Sequence, residues 1–371
     1  MQLKEPAAPG DFLPLNGVDY IEFWVANAKQ AAFFYRSAFG MELVAWRGPE
    51  TGTRDRVSYV LQQNKIRFVL TCALPPDHEI AVHARRHGDG VRDVALTVDD
   101  AEAAWVATTS RGARCVEPPR TLSDQSGQVR LSAIASYGDT VHSFVERGAY
   151  HGAFLPGFRP TGPDPLAHPA GLLYIDHTVG NVGWGDMNRW VDFYCKTMGF
   201  SLFQHFDDKQ ISTEYSSLMS KVLTNGDGRV KFLVNEPAAG RRKSQIEEYL
   251  DFYGGPGVQH LAMATDDIVR TVDQLRRQGV EFLVPPATYY EDLRPRLGPI
   301  EESFDDLARL GVLADRDDEG YLLQIFTKPV TDRPTLFYEI IQRKGSRGFG
   351  KGNIKALFEA VEREQALRGN L

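Results

Sequence analysis

Two histidines and one glutamate stand out among the residues able to do chemistry, because a second copy of the same unit lacks them. His177 lies in YIDHTVGNV, His260 in GVQHLAMA and Glu339 in TLFYEIIQR. At the corresponding points of an earlier copy the chain has Tyr20, Asp93 and Ser143. Two imidazoles and one carboxylate form the facial set that binds non-haem Fe(II) and leaves coordination positions open. Alternation places Glu339 on one strand face with Phe337 and Ile341, where a bare carboxylate is costly to bury without a cation or strong donors. Taken singly, each residue has a plainer reading: a core histidine with a hydrogen bond, or a glutamate paired with Arg343. Together, at matched positions of a duplicated unit, they read as a ligand set.

The other histidines, His78, His83, His87, His142, His151, His168 and His205, fall mostly in polar or loop contexts and are assigned no role. His83 and His87 have the i, i+4 spacing of one helix face but no evident third ligand, so a solvated helix face is expected. Cys72, Cys115 and Cys195 are far apart, odd in number and without a CxxC pair. They read as unpaired, buried or partly buried thiols of a cytoplasmic protein.

The elements that must position the triad follow from the repeat. HGDGVRDVALTVDDAEAAWVATTSRGARCVEPP and GGPGVQHLAMATDDIVRTVDQLRRQGVEFLVPP align without gaps through Gly90/Gly257, Asp99/Asp266, Asp100/Asp267, Gly112/Gly279 and a closing Pro-Pro. Phe34-Tyr35 and Phe193-Tyr194 match as well, each followed by a glycine, Gly40 and Gly199. In the second copy, Leu173, Ile175, His177 and Val179 alternate along a strand. A helix is expected from about Met187 to Met198, then strands near 211–223 and 229–236. The half-repeat restarts with a strand from Gly257 to Ala264 and a helix begun by Asp266-Asp267 and closed at Gly279. Five prolines mark 156–170 as an extended linker. That divides the chain into 1–155, a copy without the metal set, and 171–371, which carries it. Ile354, Leu357, Phe358 and Val361 share one face of a C-terminal helix. Gly345, Gly348, Gly350 and Gly352 precede it, so a hinged lid is expected.

Bulk properties exclude several classes. The chain has 371 residues, 42% hydrophobic and 25% charged, with a formal charge of −7. That is ordinary globular composition, and the acidic balance is a poor match for nucleic acid, which demands a basic face. No run of apolar residues reaches membrane-spanning length, and the N-terminal stretch has no secretory pattern.

The long motifs YIDHTVGNV, FYGGPGVQHLAM, GYLLQIFTKPVTDRPTLFYEIIQR and GFGKGNIKALFEAVEREQ resemble the 4-hydroxyphenylpyruvate dioxygenase family of the vicinal oxygen chelate superfamily. The resemblance covers nearly the whole chain and is strongest over 172–369. It implies an α+β fold: two tandem domains of paired βαβββ modules, an open barrel-like sheet in each, and a C-terminal helix as lid. It also implies Fe(II) at His177, His260 and Glu339, an arylpyruvate and dioxygen as substrates, and a homo-oligomer, dimer or tetramer. The implied reaction is oxidative decarboxylation with ring hydroxylation and side-chain migration, from 4-hydroxyphenylpyruvate to homogentisate and carbon dioxide.

Substrate residues carry over individually. Ser220, Asn235 and Gln245 match the polar group at the phenol end. Gln324 and Phe326 match residues flanking the substrate; Phe337 shares the strand face of Glu339, Phe349 and Asn353 belong to the closing segment, and with Ile354 they complete the expected substrate-binding set. Gln259 also matches, although alternation turns it away from the face of His260. Two departures bear on the product. Ile354 stands where the dioxygenases have Phe, and Leu233-Val234 where they have Pro-Ile. Ile at the first position is similar to 4-hydroxymandelate synthase, which hydroxylates the benzylic carbon of the same substrate. A non-catalytic small-molecule binder of the same fold is a third reading, which the intact triad opposes.

Overall fold

The computed structural model describes residues 11–206, 217–291 and 293–370. Among them the chain builds two sheets from four repeats of one strand-helix-strand-strand-strand unit. The second sheet runs in the order Ser201–Phe206, Ser217–Thr224, Lys231–Ala238, Ile175–Asn181, Gly257–Ala264, Phe337–Lys344, Tyr321–Phe326, Leu313–Arg316. In each unit the first strand pairs parallel with the last, as Ile175–Asn181 does with Lys231–Ala238 and Gly257–Ala264 with Phe337–Lys344. The two units then join through one antiparallel pair of first strands, Ile175–Asn181 against Gly257–Ala264. The first sheet repeats this order around Val18–Trp24 and Gly90–Thr97. Both central strands of the second sheet are buried along their whole length. That puts any side chain they carry into a dry interior.

The expected helix is found at Met187–Met198, and the expected strand at Gly257–Ala264. Asp267 caps Ile268–Arg277 by accepting from the Arg270 amide. Of the strand expected near 211–223, residues 211–216 lie outside the described residues, and Ser217–Thr224 forms a strand. Helix Gln245–Tyr253 was not anticipated, yet its start carries a capping box: Ser244 accepts from the Glu247 amide while Glu247 accepts from Ser244. The proline-rich stretch is less free than an extended linker. Arg159–Pro160 adds a short edge strand to the first sheet, and Asp164 takes two hydrogen bonds from Arg36.

Helix Ile354–Leu367 ends the chain. Its apolar face divides between two clusters: Ile354 and Phe358 pack with Phe206 and Leu218, whereas Leu357 and Val361 pack with Phe326 and Phe337. The helix therefore bridges both units of the second sheet. No helix among the described residues is long and apolar enough to cross a membrane.

Candidate metal centre and substrate pocket

Strand register, not proximity in sequence, assembles the triad. His177 sits opposite Ala262, two residues from His260, and Ala262 is in turn opposite Glu339. Glu339 Oε2 lies 3.2 Å from His177 Nε2 and 3.5 Å from His260 Nε2. All three residues are buried. The register of the first sheet puts Tyr20, Asp93 and Ser143 at the same places, and there they hydrogen-bond one another: Tyr20 and Ser143 both donate to Asp93 Oδ2. The first-half set satisfies its buried polar atoms internally. The second-half set does not.

Proton positions explain the difference. Asp176 Oδ1 is 2.9 Å from His177 Nδ1, and Gln259 Oε1 is 3.1 Å from His260 Nδ1. A carboxylate and an amide oxygen only accept, so each ring carries a hydrogen on Nδ1 and, in its neutral form, turns a bare Nε2 toward Glu339. Two lone pairs thus converge on a carboxylate, whose second oxygen, Oε1, is buried without a partner. Such an arrangement calls for a cation. Burial pushes the Glu339 carboxyl up, but the adjoining imidazoles hold it down at about 2. Burial also depresses both imidazoles; the negative charge of Glu339 leaves His177 raised overall, while His260 stays lowered. Two nitrogens and one carboxylate oxygen on one side of a buried cavity fit Fe(II).

Asp176 and Gln259 do more than sequence alternation allows because each is a bulged residue. Register jumps from Ile175/Met263 to His177/Ala262, which leaves Asp176 as the extra residue, and from Val179/His260 to Gly180/Val258, which leaves Gln259 extra. A bulge breaks alternation and brings consecutive side chains toward one side. Gln259 accordingly reaches His260, a correction to its expected outward direction. Arg343, considered as a partner of Glu339, instead donates twice to Asp176 at 2.8 Å. Asp19 and Arg147 form the same pair in the first half.

The cavity beside the triad collects most of the residues expected to hold substrate. Ser220 and Asn235 are cross-strand neighbours, and Gln245 joins them from the first turn of its helix. Gln324, Phe326, Phe337 and Phe349 also line it. Phe337 stacks on His260 with centroids 4.7 Å apart, and Phe349 meets His177 edge-on at 5.1 Å. Leu233 and Ile354 share one apolar patch of the wall. Asn353 stands off the wall, fully buried, accepting from the Tyr289 hydroxyl at 2.7 Å. Val179, Phe206, Leu218, Leu357 and Phe358 complete the lining; the helix pattern marks Leu357 and Phe358 as apolar, but only the folded chain brings the five to the cavity.

Three histidines depart from their expected polar setting. His142 is fully buried between the Val94 carbonyl and the Tyr194 hydroxyl. His83 and His87, expected on a solvated face, are buried too. The three cysteines are free as expected, but Cys115 is exposed.

Residues 17–130 and 174–325 match the model of the glyoxalase/bleomycin resistance protein/dioxygenase superfamily. A 4-hydroxyphenylpyruvate dioxygenase of Aspergillus fumigatus is 49% identical, over 96% of this chain and 94% of its own. That of Danio rerio is also 49% identical, over 98% and 93%. Among solved structures, a triple mutant of 4-hydroxymandelate synthase from Streptomyces coelicolor superposes with a TM-score of 0.85. It is 34% identical and covers 95% of this chain and 100% of that one.

Proposed function

The chain belongs to the 4-hydroxyphenylpyruvate dioxygenase family, and we propose that it converts 4-hydroxyphenylpyruvate and dioxygen to homogentisate and carbon dioxide. The observation that carries the reading is the buried set of His177, His260 and Glu339 in a cavity also lined by Ser220, Asn235 and Gln245. Fe(II) bound there supplies the redox chemistry that activates dioxygen and a Lewis acid for the 2-oxo acid end of the substrate.

The chain's own side chains supply position. Arg343 fixes Asp176, Asp176 holds the hydrogen on His177 Nδ1, and Gln259 does the same for His260, so both Nε2 atoms are aimed before iron arrives. Ser220, Asn235 and Gln245 offer hydroxyl and amide groups to a phenol. Asn235 Nδ2 already donates to Asn181 Oδ1 at 3.4 Å, which leaves its carbonyl oxygen to accept from the substrate hydroxyl. Phe337, Phe349 and Phe326 form flat apolar walls that hold an aromatic ring and keep water from the reacting centre.

A second reading has one specific observation behind it. Ile354 and Leu233, the two departures from the dioxygenase pattern, fall in the same wall patch, so together they change the shape against which the aryl ring rests. A ring displaced there presents a different carbon for hydroxylation, which favours the benzylic product, 4-hydroxymandelate. Product analysis decides: the Fe(II)-loaded protein, given 4-hydroxyphenylpyruvate under oxygen, is expected to yield homogentisate. A 4-hydroxymandelate product transfers the assignment to the second reading, and no oxygen uptake overturns both. Ile354→Phe is expected to shift the product ratio toward homogentisate; an unchanged ratio removes Ile354 as the determinant.

The proposal includes a cytoplasmic setting, supported by the three free thiols, and a homo-oligomer, dimer or tetramer. Exposed Phe33 and Phe34, adjacent on helix Ala28–Phe39, offer apolar surface for a second copy. Light scattering on the purified chain tests it, and a monomer at micromolar concentration refutes it.

A further inference from the structure

A second convergence of ligand-type side chains lies at the seam between the two halves, outside the catalytic cavity. His83 and His87 are one turn apart on helix Glu79–His87, 5% and 2% exposed. Their buried face looks toward Tyr253, the last residue of helix Gln245–Tyr253 in the second half, and toward Asp139. His87 Nδ1 is 2.5 Å from the Tyr253 carbonyl oxygen. A carbonyl only accepts, so a hydrogen is on Nδ1, and a ring with no second hydrogen presents a lone pair at Nε2. That lone pair faces Asp139 Oδ2, another acceptor, at 2.9 Å.

His83 completes the set. Its ring lies 4.5 Å from that of His87, centroid to centroid. Both of its nitrogens are buried without a hydrogen-bond partner. A buried imidazole with two unmade hydrogen bonds is a costly feature in a core that otherwise satisfies its histidines. One ligand atom from each of His83, His87 and Asp139 can be chosen so that all lie within 4.8 Å of one another. Ligands about 2.0–2.1 Å from a tetrahedral ion sit roughly 3.3 Å apart, so the three must close by up to about 1.5 Å on binding.

We propose that His83, His87 and Asp139 bind a divalent transition-metal ion of the zinc class, separate from the catalytic iron and clamping the two halves together. The set resembles other zinc sites chemically: neutral imidazoles, one carboxylate, and a hydrogen bond from the far nitrogen of one imidazole to a backbone carbonyl that orients the ring. An imidazolium at His87 paired with Asp139 would account for that contact but would leave both nitrogens of His83 unmatched. Asp139, about half exposed at the rim, gives the ion its entrance. Arg86 and Arg92 place positive charge nearby, and Arg92 donates to the Asp139 carbonyl. The site should therefore be weaker than a closed four-ligand zinc site.

The full chain carrying His177→Ala and Glu339→Ala, which removes two of the three catalytic ligands and leaves His260 alone there, isolates this site. Stripped with chelator and titrated with Zn(II) against a chromophoric competitor, it is expected to bind one equivalent and to rise in melting temperature. Co(II) should give the visible absorption of a site with nitrogen and oxygen ligands. Adding Asp139→Asn, a substitution at a half-exposed side chain, is expected to weaken Zn(II) at least tenfold, and His83→Gln to abolish the Co(II) spectrum. Absence of bound metal in the folded parent, or uptake that neither substitution alters, overturns the proposal. Either result leaves the assignment of the catalytic iron untouched.

Discussion

Asp176 sits between a metal ligand and a cation, accepting one hydrogen from His177 and two from Arg343. Burial works against its charge, but Arg343 and His177 hold its carboxyl well below the usual range. Asp176→Asn keeps the shape but offers His177 an amide that can present a donor. Fe(II) affinity should then fall about 10- to 100-fold, measured by competition with a colorimetric chelator; unchanged affinity would show that the strand alone orients the ring. Asp93, the first-half residue at the place of His260, makes the opposite case. Burial pushes the Asp93 carboxyl up to about 7, against the hydrogen bonds from Ser143. The folded value lies above the unfolded one of about 3.9. The associated stability is therefore fully present below about pH 4 and is lost as pH rises through about 7. Asp93→Asn is neutral throughout, so denaturation midpoints should fall less for the variant than for wild type between about pH 5 and pH 8. Parallel curves would refute the raised value. The triad itself was legible because the first half acts as a control: three polar residues at matched positions, with different chemistry.

At the scale of elements, legibility ends where alternation does. The period-two pattern places His177, His260 and Glu339 correctly, but it cannot show that Asp176 and Gln259 are bulged residues, since a bulge is a property of the pair of strands and not of either one. One trace survives in the sequence: an aspartate before each first-strand position, Asp19 and Asp176, and an arginine four residues after Ser143 and Glu339, which become Asp19–Arg147 and Asp176–Arg343. The C-terminal helix is the opposite case, readable from its apolar face. What the sequence could not show is the anchoring of the loop before it. Asp317 Oδ2 accepts from the Ser346 hydroxyl and from the amides of Arg347 and Gly348. Gly350, at φ 73°, leaves room for the Gln324 amide, which a Cβ would meet at 2.3 Å. The glycine-rich segment is thus tied to Asp317 at one end and packed closely on Gln324 at the other. Truncation after Gly345 should abolish oxygen uptake while the triad still binds iron. Phe358→Ala, which opens the buried face of the helix at the cavity, should raise KM more than it lowers kcat. Retained turnover in the truncated chain, or an unaltered KM in the variant, would remove the helix from the catalytic cycle.

The whole molecule is held by a reciprocal exchange that gives the repeated Phe-Tyr motif its meaning. Tyr35, on helix Ala28–Phe39 of the first half, reaches into the second half and hydrogen-bonds Tyr338 at 2.7 Å. Tyr194, on the equivalent helix of the second half, reaches into the first and bonds His142 at 2.9 Å and Ser136 at 2.8 Å. Tyr338 and His142 occupy equivalent places, each one residue before Glu339 and Ser143. Around the first contact Phe39, Phe68 and Tyr338 pack together; around the second, His142 stacks on Phe232. A single apolar cluster runs through both halves, from Leu13 and Phe68 to Phe232 and Tyr338. Two domains built this way cannot lose one sheet without stripping the core of the other, so unfolding should be one cooperative event despite the duplicated architecture. Tyr338→Ala, at a fully buried ring, should cost about 3–5 kcal/mol. Tyr35→Phe, which removes only the cross-half hydrogen bond, should cost about 1 kcal/mol. Calorimetry of the apo chain should show a single peak that moves down in both variants, with tryptophans of the two halves, Trp24 and Trp190, reporting the same midpoint. A split peak, with Trp190 shifting and Trp24 unmoved, would show that the halves fold independently and that the shared tyrosines serve only to orient them.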